Sequence, residues 1–138
     1  MKKQVDFYIS TSEKFEENTP LCLKLIHKAH QHGYNIDVHT DSSEVCQRID
    51  TGLWSLSASS FIPHDIHPQH AQRLQVHATQ PSAETVLVNF SSESIEPSDR
   101  HCRLLRIVPN QAALVQAARE QYRQFKQQHY TVNTHKIG

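Results

Sequence analysis

Arg119, Arg123 and Lys126 carry the spacing with the clearest chemical use. On a helix that turns about 100° per residue they share a sector about 60° wide. Val115 and Tyr122 edge that sector with apolar surface, continuous with a broader face of Leu114, Ala118 and Phe125. Guanidinium groups grip carboxylates through paired, charge-assisted hydrogen bonds. A cationic ridge beside an apolar rim therefore suits a ligand offering a carboxylate and an aromatic or aliphatic group together. Charge runs on helices are commonly solvated faces whose stems snorkel. This helix, however, carries a single acid, Glu120, placed poorly for Arg119 but within reach of Arg123 or Gln124. The ridge is left for an outside anion.

Two other groupings invite chemistry. Among eleven histidines, His64, His67 and His70 recur every third residue with His77 close by. Neutral imidazole is a common transition-metal ligand, so the alternative reading is a small His-dependent metal hydrolase. The run is interrupted by proline, where that spacing does not align rings, and its nearby carboxylate, Asp65, directly adjoins His64. These histidines are read as solvated loop residues, with no metal site and no cofactor expected. The second grouping is Leu53-Trp54 with Ser60-Phe61-Ile62-Pro63-His64, which holds the chain's one tryptophan. Large rings beside a strand end blunted by proline either plug the core or form a patch for a partner.

Other chemistries are excluded. Three glycines, Gly33, Gly52 and Gly138, cannot spell a dinucleotide or P-loop signature. Neither a G-x-S-x-G elbow nor an H-E-x-x-H pair is present. Asp6 and Asp37 lie near strands, with nothing beside them in sequence to argue for acid–base work. Fourteen basic residues balance fourteen acidic ones, so phosphate-driven binding is disfavoured and any contact with DNA should be indirect. Cys22, Cys46 and Cys102 are widely spaced and odd in number, which fits buried reduced thiols. With no signal-peptide core and no bilayer-length apolar stretch, a cytoplasmic protein without membrane contact is expected.

The elements that position these residues follow from periodicity. Val5 to Ser10 reads as a strand, and Thr19-Pro20 as a cap and first turn before Cys22, Leu25, Ile26 and Ala29, with Gly33 as the stop. Asn35 to His39 is a second strand, and Asp41 with Glu44 opens a helix through Val45, Ile49 and Leu53. Ile62 to Gln72 reads as loop. Leu74 to Ala78 and Thr85 to Phe90 read as strands parted by a turn at Pro81-Ser82, and Ser91 to Asp99 as a loop or short helical turn. Arg103 to Val108 is a further strand, Asn110 caps a long helix to about Gln128, and Tyr130 to Gly138 is a tail. Residues 1–138 thus form a single α/β domain of three layers. Its open sheet is mostly parallel with helices on both faces, Rossmann-like without a nucleotide site.

Three blocks, in order along nearly the whole chain, resemble the chi subunit of bacterial DNA polymerase III holoenzyme. The first is Phe7-Tyr8 with the helix closing at His32-Gly33. The second and most specific is Ile49-Asp50, Leu53-Trp54 and Ser60-Phe61-Ile62-Pro63-His64, similar to L-D-x-x-L-W…S-F-[VI]-P-H. The third runs from Ala118-Arg119-Glu120-Gln121-Tyr122-Arg123 through Tyr130, Asn133 and Thr134, similar to A-R-x-x-Y-[KR]…N-T.

The resemblance implies a non-catalytic replisome adaptor with a mononucleotide-binding-like fold that holds no nucleotide. One surface would pair with the psi subunit and so reach the clamp loader; its positions here are Trp54, Phe61, Pro63 and His64. Another would bind the acidic, Phe-terminated C-terminal tail of single-stranded DNA-binding protein, through Val115, Arg119, Tyr122 and Arg123. Family members can carry a basic residue where Val115 stands and at the extreme C-terminus, where this chain has Gly138, and Lys136 is the candidate to replace the latter. The His-rich stretch from Asp65 to Gln72 is this chain's own.

Overall fold

The computed structural model describes residues 3–55, 62–80 and 83–137. Its strands are β1 (Gln4–Ser10), β2 (Asn35–Thr40), β3 (His64–Ile66), β4 (Arg73–Val76), β5 (Thr85–Phe90), β6 (His101–Val108) and β7 (Thr131–Ile137). Its helices are α1 (Thr19–Gln31), α2 (Ser43–Ser55) and α3 (Ala112–Gln127), with a 3-10 turn at Glu16–Asn18. One sheet holds all of these strands in the order β3-β4-β2-β5-β6-β1-β7. β2, β5, β6, β1 and β7 run parallel, whereas β4 is antiparallel to both β2 and β3.

Parallel strands buried on both faces need apolar side chains throughout. β5 nearly meets this: Val86, Leu87, Val88 and Phe90 are buried, with Asn89 the one polar residue buried among them. On one face α1 and α2 pack through Cys22, Ile26, Cys46 and Ile49 against Ile36, Val38, Val88 and Ile107. On the other, α3 sets Leu114, Ala118 and Phe125 on Val5, Phe7 and Leu104. The expected three-layer α/β domain is what forms.

Two segments expected to be irregular are strands. His64–Ile66 lies in the expected loop and pairs with β4 in antiparallel register. Thr131–Ile137 lies in the expected tail and pairs with β1 from Gln4↔Thr131 to Ser10↔Ile137. The caps shift as well. Asn18 precedes α1, so Thr19 and Pro20 are its first two helical residues. The Ser42 hydroxyl accepts from the Val45 N–H at 3.3 Å to open α2, freeing Asp41 to accept from the Ser92 N–H and hydroxyl, each at 2.9 Å. Gln111, not Asn110, is the residue before α3. β6 starts two residues early, at His101, and Ser91 to Asp99 forms no helix. The turn at Pro81-Ser82 lies outside the described residues.

Gly33 stops α1 in the left-handed conformation, φ +88°, and Tyr34 N–H donates back to the Ala29 carbonyl at 3.2 Å. α3 ends the same way with a non-glycine residue, His129 at φ 65°, while Tyr130 N–H donates to the Phe125 carbonyl at 3.0 Å. Stacking of the Phe125 and Tyr130 rings at 5.2 Å closes that turn and aims the chain into β7.

Candidate functional site

Side chains alternate across a strand, so Phe7 and Ile9 of β1 face α3. Their register partners on β7 are Thr134 and Lys136. α3 sends Val115, Ala118, Arg119, Tyr122 and Arg123 toward the same place. These nine residues line one notch of about 430 Å³ between α3 and the β7 edge. Phe7 and Tyr122 form its inner apolar wall, their rings 6.1 Å apart and tilted at 47°.

Arg119, Arg123 and Lys136 stand exposed on the rim. Among the described residues none of the three has a carboxylate within ion-pair distance. Glu120 turns away and accepts from the Gln116 amide at 3.4 Å. Lys126, in the same sector by sequence, lies outside the notch with its ammonium 5.7 Å from the Tyr122 ring centroid. The notch thus gathers Val115, Arg119, Tyr122, Arg123 and Lys136. Phe7, Ile9 and Thr134 are additional lining residues that sequence reasoning missed. The alternation of β1 had signalled the first two, but the wall opposite them was invisible without β7.

The two aspartates noted near strands are engaged inside the domain. Asp6, 1 % exposed, accepts from Arg103 Nε at 2.7 Å and from His135 Nε2 at 2.9 Å. His135 stacks on Tyr8 with ring centroids 4.6 Å apart. Burial first, then the Asp6 charge, pushes the Tyr8 hydroxyl pKa up against the opposing pull of Arg103. Asp37 pairs with Arg100 at 2.7 Å and accepts from His101 Nε2 at 2.8 Å. Burial works to raise the Asp37 pKa, but the His101 hydrogen bond and the charges of Arg100, His101 and His39 together lower it. His101 Nδ1 meanwhile accepts from the Ser98 N–H at 3.0 Å. Ser98 Oγ also lies 3.0 Å from His101 Nδ1, so Ser98, His101 and Asp37 touch in series, with the one Nδ1 lone pair shared between the Ser98 N–H and its hydroxyl.

The other surface lies at the far edge of the sheet. Trp54, in the last turn of α2, is 59 % exposed. Its ring sits 4.9 Å from that of His64 at an angle of 57°. The His64 side chain is only 1 % exposed; Nδ1 donates to the Ile62 carbonyl at 2.7 Å, and Nε2 lies 3.1 Å from Asp50 Oδ1 without hydrogen-bond geometry. His64 therefore braces Trp54 from below. Pro63 is half-buried beside it, and Phe61 lies outside the described residues.

The histidine run does not assemble as a ligand set. The His67 and His70 rings lie 4.9 Å apart, tilted at 44°, and His77 Nε2 lies 2.9 Å from Asp65, while His64 is enclosed under Trp54. Among the described residues no three His, Cys, Asp or Glu are grouped to hold a metal ion. Cys22 and Cys46 are buried free thiols, and burial lifts the Cys46 pKa to about 11; Cys102, expected buried, is only partly covered. Among the described residues no helix is long and apolar enough to cross a membrane.

Fold and site together define a doubly wound α/β domain that presents an apolar, cation-rimmed notch at one sheet edge. The chain belongs to the family of the DNA polymerase III chi subunit, HolC, which it matches over residues 1–133. It is similar to the DNA polymerase III subunit chi of Pseudomonas aeruginosa, at 25 % identity over 97 % of this chain and 96 % of that one. It is also similar to the DNA polymerase III subunit chi of Haemophilus influenzae, at 23 % identity over the whole of both chains.

Proposed function

We propose that this chain, an accessory subunit of the DNA polymerase III holoenzyme in DNA replication, is a non-catalytic adaptor with two docking surfaces. The notch takes the acidic, Phe-terminated C-terminal tail of single-stranded DNA-binding protein. The Trp54 surface, with Phe61 and Pro63, pairs with the psi subunit and through it reaches the clamp loader. DNA is met only through these partners.

The observation that carries this reading is the set Arg119, Arg123 and Lys136, without carboxylate partners among the described residues and gathered over an apolar floor. A terminal carboxylate next to a phenylalanine ring matches both halves. The carboxylate gains charge-assisted hydrogen bonds from Arg119 with Arg123 beside it, and the ring is sheltered by Tyr122, Val115 and Phe7. Lys136 supplies a positive charge for the acidic residues that precede the ring. Exposed charges are screened within about 10 Å at 0.1 M salt, so binding should weaken as salt rises. Val115, apolar where relatives can be basic, enlarges the hydrophobic share at the expense of the ionic one.

Calorimetric titration with an acidic, Phe-ended peptide tests the assignment. Arg119→Ala should weaken binding by about 1.5–3 kcal/mol, the cost typical of losing a charged hydrogen-bond partner. Equal affinity for variant and wild type would remove the notch from consideration.

A further inference from the structure

We infer that the chain captured in the notch also adds itself as a further strand to the free edge of β7. The inference rests on the tail-binding reading above and extends it from side-chain pockets to main-chain pairing.

Two backbone hydrogen bonds orient β7. Thr131 N–H donates to the Lys3 carbonyl at 3.0 Å, and the Ile137 carbonyl accepts from Thr11 N–H at 3.2 Å. In a parallel ladder the residues that bond one neighbour alternate with those that face the other side. Thr131, Asn133, His135 and Ile137 therefore turn their backbone groups to β1. Val132, Thr134 and Lys136 turn theirs outward, where no strand lies among the described residues. The same alternation sets the side chains. Thr134 and Lys136 line the notch, so the residues that present free N–H and C=O groups are those that form its outer wall.

The two sheet edges are unlike. β3 is three residues long, a short edge of the kind natural sheets use to avoid unwanted pairing. β7 is seven residues long, in continuous register with β1, with no bulge and no proline. Such an edge is a ready template for another extended chain. The occupant is set by charge. Arg119, Arg123 and Lys136 border the edge, and an acidic peptide held by its terminal carboxylate brings its preceding residues alongside β7. Val132 to Lys136 spans about 13 Å of strand, so five extended residues upstream of the aromatic anchor fill it.

The test compares Thr134→Pro with Thr134→Ala in the full chain, using a ten-residue acidic peptide ending in phenylalanine. Proline at an outward-facing edge position removes one free N–H and no bond to β1. Thr134→Pro should bind about tenfold more weakly than Thr134→Ala, the loss of one backbone hydrogen bond, because both variants lack the threonine side chain that lines the notch and differ in the outward N–H. Amide exchange in the wild type should slow at Val132, Thr134 and Lys136 when peptide is added. If Thr134→Pro binds like Thr134→Ala while Arg119→Ala binds weakly, the notch reading stands and strand addition is wrong. Should the proline variant not fold, unchanged exchange at those three amides overturns the inference by itself. A wild type that ignores the peptide sinks the tail-binding reading and this inference with it.

Discussion

His39 is the residue at which the domain should feel acid. Its half-buried ring is held to a pKa of about 4, first by burial and next by the charge of Arg73, with His101 and His70 adding to the effect and Asp37 opposing it. The unfolded chain binds that proton near the ordinary value of 6.5. Between about pH 6.5 and pH 4 the unfolded state therefore holds more protons, and stability falls as pH falls through that window. Asp37 acts lower, because a depressed carboxylate pKa adds stability that persists until its folded-state pKa is reached. Urea midpoints should drop from pH 7 to pH 5 in the wild type and change less in His39→Gln; parallel curves would exclude His39 as the cause. Arg106 is the other unusual residue, 1 % exposed with burial lowering its pKa. It donates to Gln121 at 2.7 Å and to the Ser94 hydroxyl at 3.1 Å, and its Nε has no partner among the described residues. That contact explains why polar Gln121 occupies the buried stripe of α3, beside the Tyr122 that periodicity assigned to it.

Among the elements, α3 and its exit decide the notch. The left-handed residue at a helix stop favours glycine, and His129 pays a steric penalty there that Gly33 avoids at the end of α1. His129→Gly should stabilise the domain by about 1 kcal/mol, visible as a rise of roughly 3–4 °C in melting temperature; an unchanged or lower value would mean the turn carries no strain. How much could be read from sequence depends on how local each element is. The cationic sector of α3 was legible because helical spacing needs no other segment. Strands β1, β2 and β5 were legible because burial imposes runs or alternation on them. β7 was not, since Val132 is the one deeply buried side chain in Thr131–Ile137, and the segment becomes a strand only by pairing with β1. β3 was hidden by brevity. The notch was accordingly half visible: its helical wall could be derived, its strand wall could not. Trp54 is exposed, a point its residue type left open between core and patch, while the buried imidazole of His64 marks a brace that spacing could not distinguish from a contact.

At the scale of the molecule, the notch lies by β7 and Trp54 by β3, at opposite ends of the sheet. Six strand spacings of about 4.8 Å put roughly 29 Å between those edges. Neither ligand should obstruct the other. The affinity for the acidic peptide measured with psi bound should equal that of the free subunit within about twofold, a coupling near zero. Competition between the two would show that one of the surfaces is misplaced. The position of β1 has a different consequence, for how the domain is made. It is flanked by β6 and β7, nearly a hundred or more residues away, so both of its ladders are long-range. Such pairings close slowly because the intervening chain must first be gathered. During synthesis the opening strand has to wait, bare-edged and prone to stick, until the ribosome has released the segment that encloses it.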